Sequence, residues 1–112
     1  MEKLQNLMNE IQQWSDDTFD NGEFNKKRSI SISHHLLKES KELTEALTET
    51  FENKEHVKEE IIDCLTLILD TSAHYGIDAS ELIDGCYEKL EINKNREWGK
   101  PDENGVVEHI RK

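Results

Sequence analysis

The sequence predicts an all-α protein: four to five antiparallel helices forming a bundle that further copies of the chain complete. Three observations carry this reading. Apolar residues recur at spacings of three and four over most of the chain. The one alternating stretch, Ser29–Ser33, is too short and isolated to make a sheet. Apolar residues amount to 34% of 112 residues against 35% charged, which is little material for a self-sufficient core. The length suits a single domain over 1–112, with working helices at about 31–96 and a tail at 97–112.

The elements follow in order. Over residues 2–17, Leu4, Leu7, Met8, Ile11 and Trp14 line one helix face. The pattern breaks over 16–29, where Asn21-Gly22 reads as a turn. A second helix is expected to start at Ser31 or Ser33, both good N-caps, and to bury Leu36, Leu37, Leu43, Ala46, Leu47 and Phe51. The third takes Val57 to about His74. Its stripe of Ile61, Ile62, Cys64, Leu65, Ile68 and Leu69 is wide, so it is expected to be the most buried helix. Gly76 stops it in a left-handed cap. The fourth begins at Asp78 or Ser80, with Leu82, Ile83, Cys86, Tyr87 and Leu90 inward. Gly99, Pro101 and Gly105 mark the rest as an ordered tail or loop.

Charge excludes whole classes of partner. Fourteen Lys and Arg against 25 Asp and Glu give a net charge of −11, unsuited to gripping a nucleic acid polymer or an anionic membrane. A small anion remains allowed where a metal cation reverses the local field. The apolar run Ile61–Leu69 is interrupted by Asp63 and Thr66 and is far short of the roughly 20 residues of a span. The N-terminus lacks the apolar core of a signal peptide. Cys64 and Cys86 have no CxxC spacing and fit apolar helical patterns as reduced core thiols. A cytoplasmic protein is expected.

The chemistry sits in two acidic pairs. Glu39 and Glu42 are three apart on the second helix, Glu60 and Asp63 three apart on the third, so each pair shares a helix face. A short connection lets the two helices fold back, setting the four carboxylates opposite one another. Asp63 is the informative member, because it interrupts the apolar run IIDCLTLIL. An unpaired carboxylate there would cost several kcal/mol, and four converging acids repel; hard cations among them remove both problems. Oxygen-only ligands suit Mg2+ or Mn2+. No His has an acid three residues before it, so the Glu-x-x-His of di-iron bundles is missing, as are HExxH and P-loop motifs. A lone ExxE is common on solvated helices; the weight here comes from two pairs at hairpin distance.

Lys89, Asn93 and Arg96 share one face of the fourth helix, offering two cations and an amide as a polyphosphate requires; an ordinary solvated face with Glu88 and Glu91 fits equally. His35 lies four before Glu39 on the carboxylate face, where a hydrogen-bonding or stacking role and a plain structural role are both open. Trp14 and Trp98 suit base stacking or packing.

With these residues in place, ESKE at 39–42 followed by EIID at 60–63 resembles the ExxE–ExxD signature of the MazG-like all-α nucleotide pyrophosphohydrolases. HHLLKESKEL, EEIIDCLTLILD and EKLEINKNREW follow that family in order and spacing, and the closing GVVEHIR resembles its dATP/dGTP pyrophosphohydrolase-like branch. The resemblance covers roughly 30–110. It implies Mg2+-dependent cleavage of (deoxy)nucleoside triphosphates between the α- and β-phosphates, giving monophosphate and pyrophosphate, by a homodimer or dimer of dimers. It makes Glu39, Glu42, Glu60 and Asp63 metal ligands and Lys89, Asn93 and Arg96 phosphate contacts. Glu39 or Glu42 is the expected proton acceptor, and His35 is placed on the substrate side. The rival from another class is a non-catalytic acidic helical module, an antitoxin or adaptor, which explains the charge and the helices but not Asp63.

Overall fold

The computed structural model describes residues 1–19 and 26–111. Four helices carry the described chain: α1 (Glu2–Phe19), α2 (Lys26–Leu47), α3 (Lys54–His74) and α4 (Ala79–Lys94). No strand occurs among the described residues, only an isolated antiparallel bridge between Trp98 and His109. No helix is long and apolar enough to cross a membrane. The chain falls into two compact units, Met1–Ser80 and Glu81–Lys112.

In the first unit α3 packs against both α1 and α2. Ala46 and Leu47 near the end of α2 share a pocket with Lys54 and Val57 at the start of α3. Leu36 and Leu37, earlier in α2, share another with Ile68, late in α3. The two helices are therefore antiparallel, in the register the acidic pairs require. Asn53 caps α3 by accepting the His56 N–H at 3.1 Å. At the other end Gly76 takes φ 74°, a left-handed conformation that favours glycine.

Several boundaries differ from expectation. α1 runs on to Phe19, and α2 begins at Lys26 rather than at Ser31 or Ser33. Both serines lie inside the helix and donate backwards, Ser31 to Lys27 O at 3.3 Å and Ser33 to Ile30 O at 2.7 Å, so their hydroxyls do not act as caps. The Asn21-Gly22 turn lies outside the described residues. α2 stops at Leu47, which leaves Phe51 beyond it and 84% exposed. Nor is α3 buried all round: Ile61, Ile62, Leu65 and Ile68 are each about half exposed. Its neighbours α1 and α2 cover only part of its circumference, and the wide stripe outruns them. The cysteines are free, with Cys64 half-buried and Cys86 exposed instead of both lying in the core.

The core is small and half polar. Among the described residues Met8, Ile32, Ala46, Leu69 and Ala79 are buried and apolar, joined by buried Ser15, Ser29, Asp70, Ser72 and His74. His74 is fully buried and bridges two helices. Its Nε2 donates to Asp16 Oδ1 at 2.8 Å, its Nδ1 donates to Asp70 O at 2.9 Å, and Asp70 Oδ1 stands 2.8 Å from Nδ1. Burial alone would lower the His74 pKa, but the bonds to Asp16 and Asp70 and their charges outweigh it and raise the value above the ordinary 6.5.

A raised folded-state pKa gives stability that is complete below the unfolded value and lost as pH rises through the folded one. His74→Ala, which strands the buried Asp70, should cost about 3 kcal/mol near pH 6. The cost should shrink as pH climbs past the raised pKa. Paired thermal melts across about pH 5 to 9 check this; a difference independent of pH would mean that the ring is not charged.

Candidate metal centre

The α2–α3 pairing brings Glu39, Glu42 and Glu60 together. Each offers a carboxylate oxygen, and the three lie within 4.8 Å of one another. Glu39 and Glu60 are half-buried while Glu42 is exposed. Glu39 Oε2 and Glu60 Oε2 are buried from solvent without a hydrogen-bond partner. A carboxylate oxygen stripped of water and given no donor is an unmet demand for positive charge.

The electrostatics agree. The Glu39 pKa is raised from 4.5, first by the Glu42 carboxylate lying against it, then by burial and by the charges of Glu42 and Asp63; the bond from His35 opposes this. The Cys64 thiol is pushed up from 9.0 by burial and then by Glu39, Glu60, Asp63 and Glu42, so it stays protonated.

Asp63 stands apart from its expected setting. It is exposed, it lies outside the tight three-carboxylate group, and it acts on Glu39 and Cys64 through charge. The desolvation cost that singled it out in the sequence does not arise in one chain, because the flanking apolar residues are themselves half open.

Two histidines hold the acids from the rear. His35 Nε2 lies 3.2 Å from Glu39 Oε1, so the ring expected on the substrate side sits against a carboxylate. His56 Nε2 lies 3.5 Å from Glu60 Oε1 while its Nδ1 reaches Glu49 Oε1 at 2.9 Å. The sequence reading did not single out His56. Its signal was present: His35–Glu39 and His56–Glu60 share the spacing of four that puts a ring over a carboxylate on a helix.

The basic group lies in the second unit. Arg96 lies past the end of α4 at Lys94 and not on the helix face expected, but its Nη1 still donates to Asn93 Oδ1 at 3.1 Å. Trp98 Nε1 donates to Asn93 O at 3.0 Å, and Trp98 is 46% exposed. In the first unit Trp14 meets Phe19 edge-on, with centroids 5.5 Å apart.

Among known proteins, the family model described as dATP/dGTP pyrophosphohydrolase matches residues 7–112. No curated protein and no solved structure matches the chain significantly.

Two carboxylates about 5 Å apart repel by about 1 kcal/mol in a water-like medium and about 3 kcal/mol at an effective dielectric of 20. Glu42→Gln should therefore stabilise the metal-free protein by about 1 kcal/mol, read as a higher melting midpoint in EDTA. A lower midpoint would mean that the clustered acids support the fold by themselves.

Proposed function

The chain belongs to the dATP/dGTP pyrophosphohydrolase family, and on that footing we propose that it hydrolyses purine deoxynucleoside triphosphates between the α- and β-phosphates, with Mg2+ held by its acidic cluster. The observation that carries the proposal is the meeting of Glu39, Glu42 and Glu60 within 4.8 Å, with two of their oxygens buried and unpartnered. This donor set fits a hard divalent cation: it is all oxygen, rich in negative charge, and short of donors. Asp63, near enough to influence Glu39, is the proposed fourth ligand. Mn2+ suits the same donors.

When bound there, the metal supplies charge that neutralises the triphosphate and makes a nearby water more acidic. The chain's own groups do the rest in this proposal. Glu39 or Glu42 accepts the proton that the attacking water sheds. His35 and His56 keep Glu39 and Glu60 in place by contacts at 3.2 and 3.5 Å. Lys89, Asn93 and Arg96 hold the phosphates beyond the cut, where charge grows as pyrophosphate leaves.

The same proposal includes association of the chain as a homodimer or dimer of dimers. Leu37 is 67% exposed and Leu47 63%, and the α3 stripe is half open, which is a large apolar surface for a chain with this much charge. Sedimentation should show an oligomer at micromolar concentration; a stable, active monomer would refute this part.

Pyrophosphate release from the four deoxynucleoside triphosphates, with and without Mg2+, tests the activity. Release from dATP and dGTP, dependent on the metal, is expected; orthophosphate as the first product, or no turnover, would reject it. Asp63→Ala should lower turnover by roughly 100-fold or more with the fold intact and should shrink the Mg2+-induced rise in melting midpoint. Arg96→Ala should lower kcat by about 100-fold and leave Mg2+ affinity without nucleotide nearly unchanged, which calorimetry beside kinetics will show.

A further inference from the structure

The segment after α4 folds back on itself. Gly99 N–H donates to Glu108 O at 2.8 Å and Ile110 N–H donates to Glu97 O at 2.7 Å, on either side of the Trp98–His109 bridge. Asp102 closes the far end. Its Oδ1 accepts the N–H groups of Asn104 at 2.8 Å and Val106 at 2.9 Å, and its carbonyl accepts that of Gly105, which sits at φ 79°. A Cβ on Gly99 would stand 3.3 Å from Glu108 O, so the close approach of the two arms suits glycine there.

This pairing decides which side chains share a face, because alternate residues along an extended arm point the same way. Trp98 lies opposite His109, their rings edge-on at 6.1 Å. Arg96 lies just before this arm, in the bend that ends α4, and Arg111 lies two residues past His109. Arg96 and Trp98 both bond to Asn93, which ties this face to the end of α4. Burial first, then the charges of Arg96, Arg111 and Lys89, hold the His109 pKa below 6.5, with Glu108 the acid that opposes them. The charges of three cations and one acid, Glu108, reach this imidazole, an excess of positive charge that an anion would relieve in a chain of net charge −11.

We infer that the C-terminal tail is part of the phosphate-binding machinery: His109 and Arg111, returned beside Arg96 and Lys89 by the folded-back arm, complete a cationic site for the pyrophosphate portion of the nucleotide. The identity of the anion rests on the pyrophosphohydrolase reading. The placement of the four groups does not. His109 and Arg111 act here as binding residues, and the Asp102 turn positions them.

Calorimetric titration of the full chain with inorganic pyrophosphate, without nucleotide, tests the inference. His109→Gln and Arg111→Gln should each weaken binding about tenfold, the effect of losing one charged hydrogen bond, and Arg111→Lys should recover most of the loss. Ile110→Pro, which removes the N–H bonded to Glu97 O, should reproduce the loss with the helical content unchanged by circular dichroism. The His109 ring, followed by NMR, should titrate at higher pH once pyrophosphate is bound. Unchanged pyrophosphate affinity in both Gln variants, beside normal dATP turnover by the parent, would overturn the tail's role and leave the pyrophosphohydrolase reading standing. Equal affinity for sulfate would overturn the assignment to pyrophosphate. Binding that follows the expected order in a protein that cleaves no deoxynucleotide would uphold the anion site and reject the reading of the reaction.

Discussion

Three carboxylates with oxygens within 4.8 Å of one another are the constraint on which the first unit is arranged. Their repulsion works against the α2–α3 pairing that creates it. The pairing survives because it is supplied from elsewhere on both helices: Ala46 is buried, Leu69 is buried, and Asn53 starts α3 with a satisfied cap. The acids also have partners of their own. His35 and His56 each sit one turn before an acid, His35 bonded to Glu39 and His56 within 3.5 Å of Glu60, while the second oxygen of each acid, Oε2, is left without a donor. Orientation and unmet demand are thus built into the same two side chains. That combination distinguishes the cluster from solvated acids such as Glu45 and Glu52, which are exposed.

The second anchor of the unit is also ionic. α1 is joined to α3 by His74 between Asp16 and Asp70. An apolar contact of the same size would give more stability for less desolvation, since a buried ion pair gains little net energy over well-packed hydrophobic residues. What the ionic clamp adds is position. A ring that must donate from both nitrogens accepts one rotation and one depth. In a core whose buried polar residues match its buried apolar ones, such bonds decide how the helices lie more firmly than apolar contact does.

Much of this was legible in the chain. The spacing of three and four gave α1, α3 and α4, and the left-handed Gly76 stop is where the sequence puts it. The acidic pairs foretold the α2–α3 hairpin, because Glu39, Glu42 and Glu60 meet only if the helices are antiparallel. What failed has physical causes. Ser31 and Ser33 look like caps, but a serine hydroxyl satisfies a carbonyl in the preceding turn as readily as it caps, and α2 passes through both. Asp63 looked buried because its neighbours are apolar, and apolar pattern reports what a face prefers, not what covers it within one chain. His56 has the same spacing of four to Glu60 that His35 has to Glu39, but its shorter contact, Glu49 at 2.9 Å, lies beyond the end of α2, where helical periodicity encodes nothing. The bridge between Trp98 and His109 was hidden for a related reason: a single bridge has no run of alternation to announce it.

The second unit is short of cover for its apolar side chains. No residue from 81 to 111 is buried, yet Leu90, Ile92 and Tyr87 are 48%, 48% and 68% exposed on a helix of 16 residues. An isolated helix of that length is marginal in water, and helices in proteins are stabilised chiefly by what covers their apolar side. Capping does not make up the difference: Lys94 pairs with Glu91 at the surface, an interaction worth about 0.5 kcal/mol or less. Covering half of three such side chains would contribute roughly 1 kcal/mol each. That is several times the worth of the Lys94–Glu91 pair, and it would be gained without altering the Arg96–Asn93 bond or the folded-back arm. The apolar side of α4 and the Arg96–Asn93 bond at its end are thus separate features, and covering the one leaves the other unchanged.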